Sequence, residues 1–191
     1  MGLREQKKIQ SRQQIMEAAI RQFDLCGYGE TSIADIMTEA GLGVGTFYNY
    51  FASKEELLIA LLETIEDKIS SAVNANDSPL KALEKVNARL AELLDENKFM
   101  LALFLSASEH SDRPEQLKTR LRPGFKPIFE TIIKYGQKIG DIRSDVPSVL
   151  IAELFHSIYH SAAFSIMPLP FQTNIRLKVQ LLIDGIKTDR S

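Results

Sequence analysis

The chain is short of the residues on which most catalytic and redox chemistry depends. Its 191 residues hold one cysteine, Cys26, and three histidines. A single thiol excludes an internal disulfide and fits a reducing compartment. Cys26 ends the first predicted helix close to its apolar face and reads as a small packing residue. No glycine-rich phosphate loop, metal-type cysteine spacing or nucleophile motif occurs, so an enzyme is not expected, nor is a cofactor. The longest apolar run, Phe99 to Leu105, is too short to cross a bilayer. The polar N-terminus lacks the apolar core of a signal peptide, and a cytoplasmic location is expected. Strand-like alternation and internal repeats are absent. Charge of one sign is also missing: the net charge is −2, and within residues 1–54 six Lys/Arg meet six Asp/Glu. The one local excess is at residues 1–12, where Arg4, Lys7, Lys8 and Arg12 face Glu5 alone, a balance of +3. Any nucleic-acid footprint must therefore be local.

What is present is helical periodicity throughout, and the fold class is all-α. A first helix runs from about Lys8 to Leu25, with Ile15, Ala19 and Phe23 as its inner stripe and Gly27 as its stop. The stretch Thr31 to Leu57 then reads as two short helices, a tight turn between them and the start of a long third helix. Ile33, Ile36, Met37 and Ala40 give the first of these an apolar face, with Ser32 and Asp35 as its capping pair. Gly41-Leu42-Gly43 breaks the chain, and Gly41 suits a left-handed residue. The second helix, roughly Val44 to Tyr50, docks on Phe47 and Phe51, which leaves Val44, Gly45, Thr46, Tyr48 and Asn49 mostly outward. A short helix with one dry side and one side of small, polar and aromatic groups suits a DNA major groove. Ser53-Lys54-Glu55-Glu56 opens the long helix as a capping box, and Lys54 beside its free backbone N–H groups suits a phosphate.

These residues resemble the TetR family of bacterial transcriptional regulators. Ala40-Gly41-Leu42, Gly45-Thr46-Phe47-Tyr48-Asn49-Tyr50-Phe51 and Ser53-Lys54-Glu55-Glu56-Leu57 follow its signature, and Phe23, Gly27-Tyr28 and Thr31-Ser32-Ile33 match upstream. The match covers roughly residues 10 to 60. One position departs: the family often begins its recognition helix with Ser or Thr, and here Gly43 offers only a backbone N–H. The resemblance implies an N-terminal three-helix bundle with a helix-turn-helix, followed by a larger helical dimerisation and ligand-binding domain. The expected division is residues 1–52, a linking helix 53–73, and residues 74–191. The implied function is a DNA-binding regulator, a repressor released from a palindromic operator by a small molecule. The DNA-binding set is Thr31, Ser32, Gly43, Val44, Gly45, Thr46, Tyr48, Asn49 and Lys54. Two other classes, a helical enzyme and a protein-binding adaptor, could carry the same short helix; the missing catalytic constellation argues against the enzyme.

Beyond the loop at Asn74 to Pro79 further helices follow. The last two span about Pro147 to Met167 and Thr173 to Lys187. Their stripes, Leu150, Leu154, Ile158 and Ser161, then Ile175, Val179, Leu182 and Ile186, fit either a homodimer face or the protomer's own core. The resemblance favours the dimer, a four-helix bundle with two-fold symmetry. It also implies an effector pocket, for which Met100, Phe104, Phe125, Phe129, Tyr159 and Phe164 are candidate walls, with His110, His156 and His160 as polar fixtures. His156 and His160 lie one turn apart, a spacing open to a metal, but no Cys or carboxylate cluster accompanies them and no metal is expected.

Overall fold

The structure is a computed structural model that describes residues 2–106 and 126–188. Among these residues the chain is all-α, and the one β contact is an isolated bridge between Ile142 and Lys187. The helices are α1 (Leu3–Cys26), α2 (Ile33–Glu39), α3 (Val44–Phe47), α4 (Lys54–Ser70), α5 (Pro79–Glu96), α6 (Lys98–Ser106), α7 (Lys126–Ile139), α8 (Ser148–Ala163) and α9 (Phe171–Ile186). The chain divides into two compact units: Met1–Thr64 with Asn97–Ala102, and Ile65–Glu96 with Leu103–Ser191.

In the first unit, α1 starts at Leu3 rather than near Lys8. Its opening turns are polar but rich in good helix formers, a signal that apolar spacing does not register. It stops where Gly27 takes φ +82° and donates its N–H to the Phe23 carbonyl at 2.9 Å. Cys26 is exposed rather than packed, because the helix ends on it and no further turn covers it. The predicted capping box forms: the Asp35 N–H donates to Ser32 Oγ at 3.2 Å and the Ser32 N–H donates to Asp35 Oδ2 at 2.9 Å. Gly41 ends the turn after α2 at φ +67°, a conformation costly for a residue with a Cβ. Ile15, Ala19, Phe23, Ile36, Met37, Phe47, Phe51, Leu57 and Leu61 make one core, so α1, α2, α3 and the first turns of α4 bury their apolar faces together. Phe99, from the start of α6, packs on the same cluster 4.9 Å from the Phe23 ring.

In the second unit α8 packs against α7 and α9, and α9 against α5. Leu83, Val86, Leu90, Phe129, Ile133, Ile151, Phe155, Ile175, Val179 and Ile183 are all buried. Phe129 and Phe155 stack at 5.4 Å. One polar pair sits inside: the Tyr159 hydroxyl donates to Asn87 Oδ1 at 2.8 Å, and Asn87 Nδ2 donates to the Leu83 carbonyl at 2.7 Å. The sequence does carry a trace of this pair, since Asn87 falls in the apolar register of Leu83 and Leu90. Asp112-Arg113-Pro114-Glu115, which the sequence pattern predicts as a helix start, and Arg122-Pro123-Gly124, predicted as a break, lie outside the described residues.

Candidate nucleic-acid interface

The exposed face of the first unit is built on Phe47. That ring is fully buried, packed 5.7 Å from Phe51 and edge-on to Tyr48 at 5.4 Å. Fixing this one side chain turns its neighbours outward: Gly43, Val44, Gly45, Tyr48 and Asn49 are exposed and Thr46 is half-buried. α3 is only four residues long, shorter than the predicted Val44 to Tyr50. The chain after it tightens into turns, with the Asn49 N–H on the Thr46 carbonyl at 3.2 Å and the Tyr50 N–H on the Phe47 carbonyl at 2.9 Å. Two glycines in this stretch have no use inside the protein. A Cβ added to Gly43 or Gly45 would meet nothing within 4 Å. Gly45 nevertheless costs helix stability relative to alanine, up to ~1 kcal/mol.

Ser32 is exposed at the N-terminus of α2 and engaged with Asp35, whose carboxyl it holds below the ordinary range through its hydroxyl and backbone N–H. Two residues predicted for this face turn inward. Thr31 is 2 % exposed, and its hydroxyl donates to the Gly27 and Gln22 carbonyls at 2.8 and 3.1 Å. It closes the end of α1 instead of facing a ligand. Lys54 Nζ donates to the Tyr28 and Thr31 carbonyls at 2.6 and 2.7 Å and lies 4.5 Å from the Tyr28 ring centre. Exposed positive groups line α1. Because that helix begins at Leu3, Arg4, Lys8 and Arg12 recur every four residues on one side, with Lys7 beside them, and the Arg12 guanidinium lies 5.2 Å from the Phe51 ring centre.

Residues 15–61 match the bacterial regulatory proteins, tetR family. Over these residues the chain is similar to the TetR family. Curated relatives extend the likeness: an uncharacterized HTH-type regulator, YuxN of Bacillus subtilis, is 32% identical over 114 residues, 56% of this chain and 39% of that protein. TcmR of Streptomyces glaucescens is 31% identical over 85 residues, 43% of this chain and 38% of that protein. The chain thus spans about two fifths of the length of these relatives. Solved structures share the fold over nearly the whole chain. FadR of Bacillus halodurans superposes with a TM-score of 0.73 at 19% identity, covering 92% of this chain and 95% of that one. FadR of Bacillus subtilis, solved with stearoyl-CoA, gives 0.70 at 21% identity, covering 91% and 98%.

Outside the TetR-type domain the structure separates residues that the sequence grouped. Of the two stripes read as a dimer face, Leu150, Leu154 and Ser161 are exposed on α8, whereas Ile158, Ile175, Val179 and Ile186 are buried within the protomer and Leu182 is half-buried. The inward stripe of α9 serves the core of its own unit. The exposed leucines of that helix are Leu177 and Leu181, which periodicity did not single out. Lys178 Nζ donates to Ser161 Oγ at 2.6 Å, which sets this part of α9 beside the exposed side of α8.

The candidate pocket residues also part company. Phe104, His156 and Tyr159 do come together, with the Phe104 ring 4.5 Å from His156 and 5.2 Å from Tyr159. Phe129 is buried against Phe155, and Met100 is buried in the first unit. Phe164 lies beyond the end of α8, 70 % exposed and 5.2 Å from His160, so it walls no enclosed space. His110 and Phe125 lie outside the described residues. A groove of about 380 Å³ opens instead between α5 and α9, lined among others by Glu84, Asn87, Ala91, Ile175, Arg176 and Val179. No member of the predicted wall set lines it. Among the described residues, no three His, Cys, Asp or Glu side chains converge as a metal site, and no helix is long and apolar enough to cross a membrane.

Proposed function

We propose that the protein is a cytoplasmic, homodimeric transcriptional regulator, a repressor that leaves a pseudo-palindromic DNA operator when a small apolar effector binds its second unit. The observation that carries this is the α3 face: Val44, Gly45, Tyr48 and Asn49 exposed on a segment pinned by buried Phe47, inside a domain similar to the TetR family. Val44 is suited to a thymine methyl and Asn49 to an adenine edge, while Thr46 and Tyr48 suit phosphates. Arg4, Lys7, Lys8 and Arg12 along α1 concentrate positive charge on one helix of a domain that is neutral as a whole. Ser32 and the Gly43 N–H complete the set.

The dimer reading is supported by leucines left exposed on two helices of the second unit that pack together. They are Leu150 and Leu154, with small Ser157 and Ser161 on the same side of α8, and Leu177 and Leu181 of α9. Small residues between leucines let a copy approach closely. For the effector, the support is the cluster of Phe104, His156 and Tyr159 and a fold neighbour solved with stearoyl-CoA. The deciding experiment selects bound duplexes from a randomised pool and repeats the selection with acyl-CoA thioesters present. A two-fold-related motif recovered only without effector is the expected result. Recovery of unrelated sequences would refute the regulator reading, and an unchanged yield would reject that effector class.

A further inference from the structure

Lys54 occupies the first position of α4, where a cation is disfavoured by the helix dipole. A phosphate is one explanation of such a placement. The structure contains another. The chain leaves α1 at Gly27 and reaches α2 at Ser32 through four residues whose carbonyls lack helical partners. Lys54 Nζ donates to three of them: Tyr28 at 2.6 Å, Thr31 at 2.7 Å and, more weakly, Gly29 at 3.4 Å. An ammonium has three protons, so this set exhausts it. The underside of the charge rests on the Tyr28 ring, 4.5 Å from its centre. That ring is itself wedged, edge-on to Phe23 at 5.2 Å and stacked with Phe99 at 6.5 Å. Thr31 is buried and its hydroxyl is turned back to the end of α1, so the loop is tied from both sides.

We propose that Lys54 is a positioning residue rather than a phosphate ligand: its ammonium clamps the Tyr28–Thr31 loop to the start of α4 and so fixes the angle at which α2, and with it α3, is presented. The consequence follows from connectivity. Thr31 precedes Ser32, the cap of α2; α2 carries buried Ile36 and Met37, and these share a core with Phe47. Releasing the loop from α4 loosens the entry to α2 and the seat of α3 without removing any group that faces outward. The DNA part of this inference rests on the regulator reading above; the clamp itself does not.

The test uses the full chain, Lys54→Met and duplexes selected by the wild-type protein from a randomised pool. Methionine keeps most of the stem and removes the charge. A clamp predicts a fall in Tm of at least ~5 °C and weaker binding to every duplex with an unchanged slope of log affinity against log salt. A phosphate contact predicts an unchanged Tm and a slope shallower by ~0.9 per subunit; either of those two results overturns the proposal. Should the variant not fold, NMR of the wild-type ammonium decides. Slowly exchanging Lys54 Nζ protons coupled to the Tyr28 and Thr31 carbonyl carbons, and unchanged on adding duplex, are expected. Couplings that are missing, or that vanish with DNA, would overturn the clamp. If the wild-type protein selects no duplex, the regulator reading fails, and the melting and NMR results alone still decide the role of Lys54.

Discussion

Leu154→Arg and Val179→Arg replace residues that the sequence places in one apolar pattern, and the structure predicts opposite failures. Leu150, Leu154, Leu177 and Leu181 remain 47, 43, 43 and 74 % exposed in the protomer. About half of a leucine's ~1.5–3 kcal/mol of burial is therefore still available at Leu154, roughly 1 kcal/mol. In a two-fold dimer the position enters twice, so Leu154→Arg forfeits ~2 kcal/mol of burial and sets two cations in one interface at a further cost of a few kcal/mol. A total loss of at least ~4 kcal/mol raises the dimer dissociation constant about 1,000-fold. The protomer itself should hardly notice, because substitutions at exposed positions usually fall within about ±0.5 kcal/mol. Val179 is 5 % exposed among Ile175, Ile183 and the α5 face. An arginine there displaces the packing against α5 and sets its charge at the wall of the α5–α9 groove, at a cost of several kcal/mol against the ~5–15 kcal/mol that holds a whole domain together. Sedimentation velocity with thermal melts over a range of concentration separates the two. Leu154→Arg should give a folded monomer that no longer binds selected duplexes tightly, and Val179→Arg an unfolded or molten second unit. A Leu154→Arg protein that sediments as the wild-type dimer would refute the assigned face; a Val179→Arg protein that melts like wild type would refute the packing.

Three further outcomes are expected. Gly45→Ala should raise the stability of the first unit by up to ~1 kcal/mol, since its Cβ meets nothing in the protein, and should weaken DNA binding; a gain in stability with full affinity would show that the bare backbone serves no approach. Asn49→Ala should cost about 1–3 kcal/mol at one base pair of the selected motif and little elsewhere, whereas a uniform loss across the pool would make Asn49 a backbone contact. Burial pushes the Tyr159 phenol well above its ordinary 10.0, and burial followed by the nearby Glu55 carboxylate raises Tyr28. Both folded values lie above the unfolded one, so this contribution is fully present below about pH 10 and declines as the unfolded chain releases protons that the fold retains. Stability measured by urea unfolding should therefore drop above that pH, and phenolate absorbance from these two residues should appear only with unfolding; early titration of both would contradict their burial.

The helices of this protein are written in local signals. The Ser32–Asp35 box, the left-handed glycines at 27 and 41 and the Phe47–Phe51 pair each act over one turn or less, and each appears in the structure where the sequence puts it. The outward set Val44, Gly45, Tyr48 and Asn49 follows from the same logic, because one buried ring fixes the rotation of a helix four residues long. Polar turns were harder: the start of α1 at Leu3 carries no apolar spacing to announce it.

Tertiary packing decided what periodicity leaves open, namely which of two apolar sides is covered. α9 has leucines on one side and isoleucine and valine on another, and only contact with α5 and α8 makes the second the inner one. The same holds for polar groups. Thr31 and Lys54 look like ligand contacts along the chain, because sequence shows a hydroxyl and a cation but not the carbonyls left open where α1 ends. Those acceptors, from residues 28, 29 and 31, meet Lys54 across more than twenty positions of chain. A long-range hydrogen bond of that kind has no local signature, so the fold alone directs the ammonium inward.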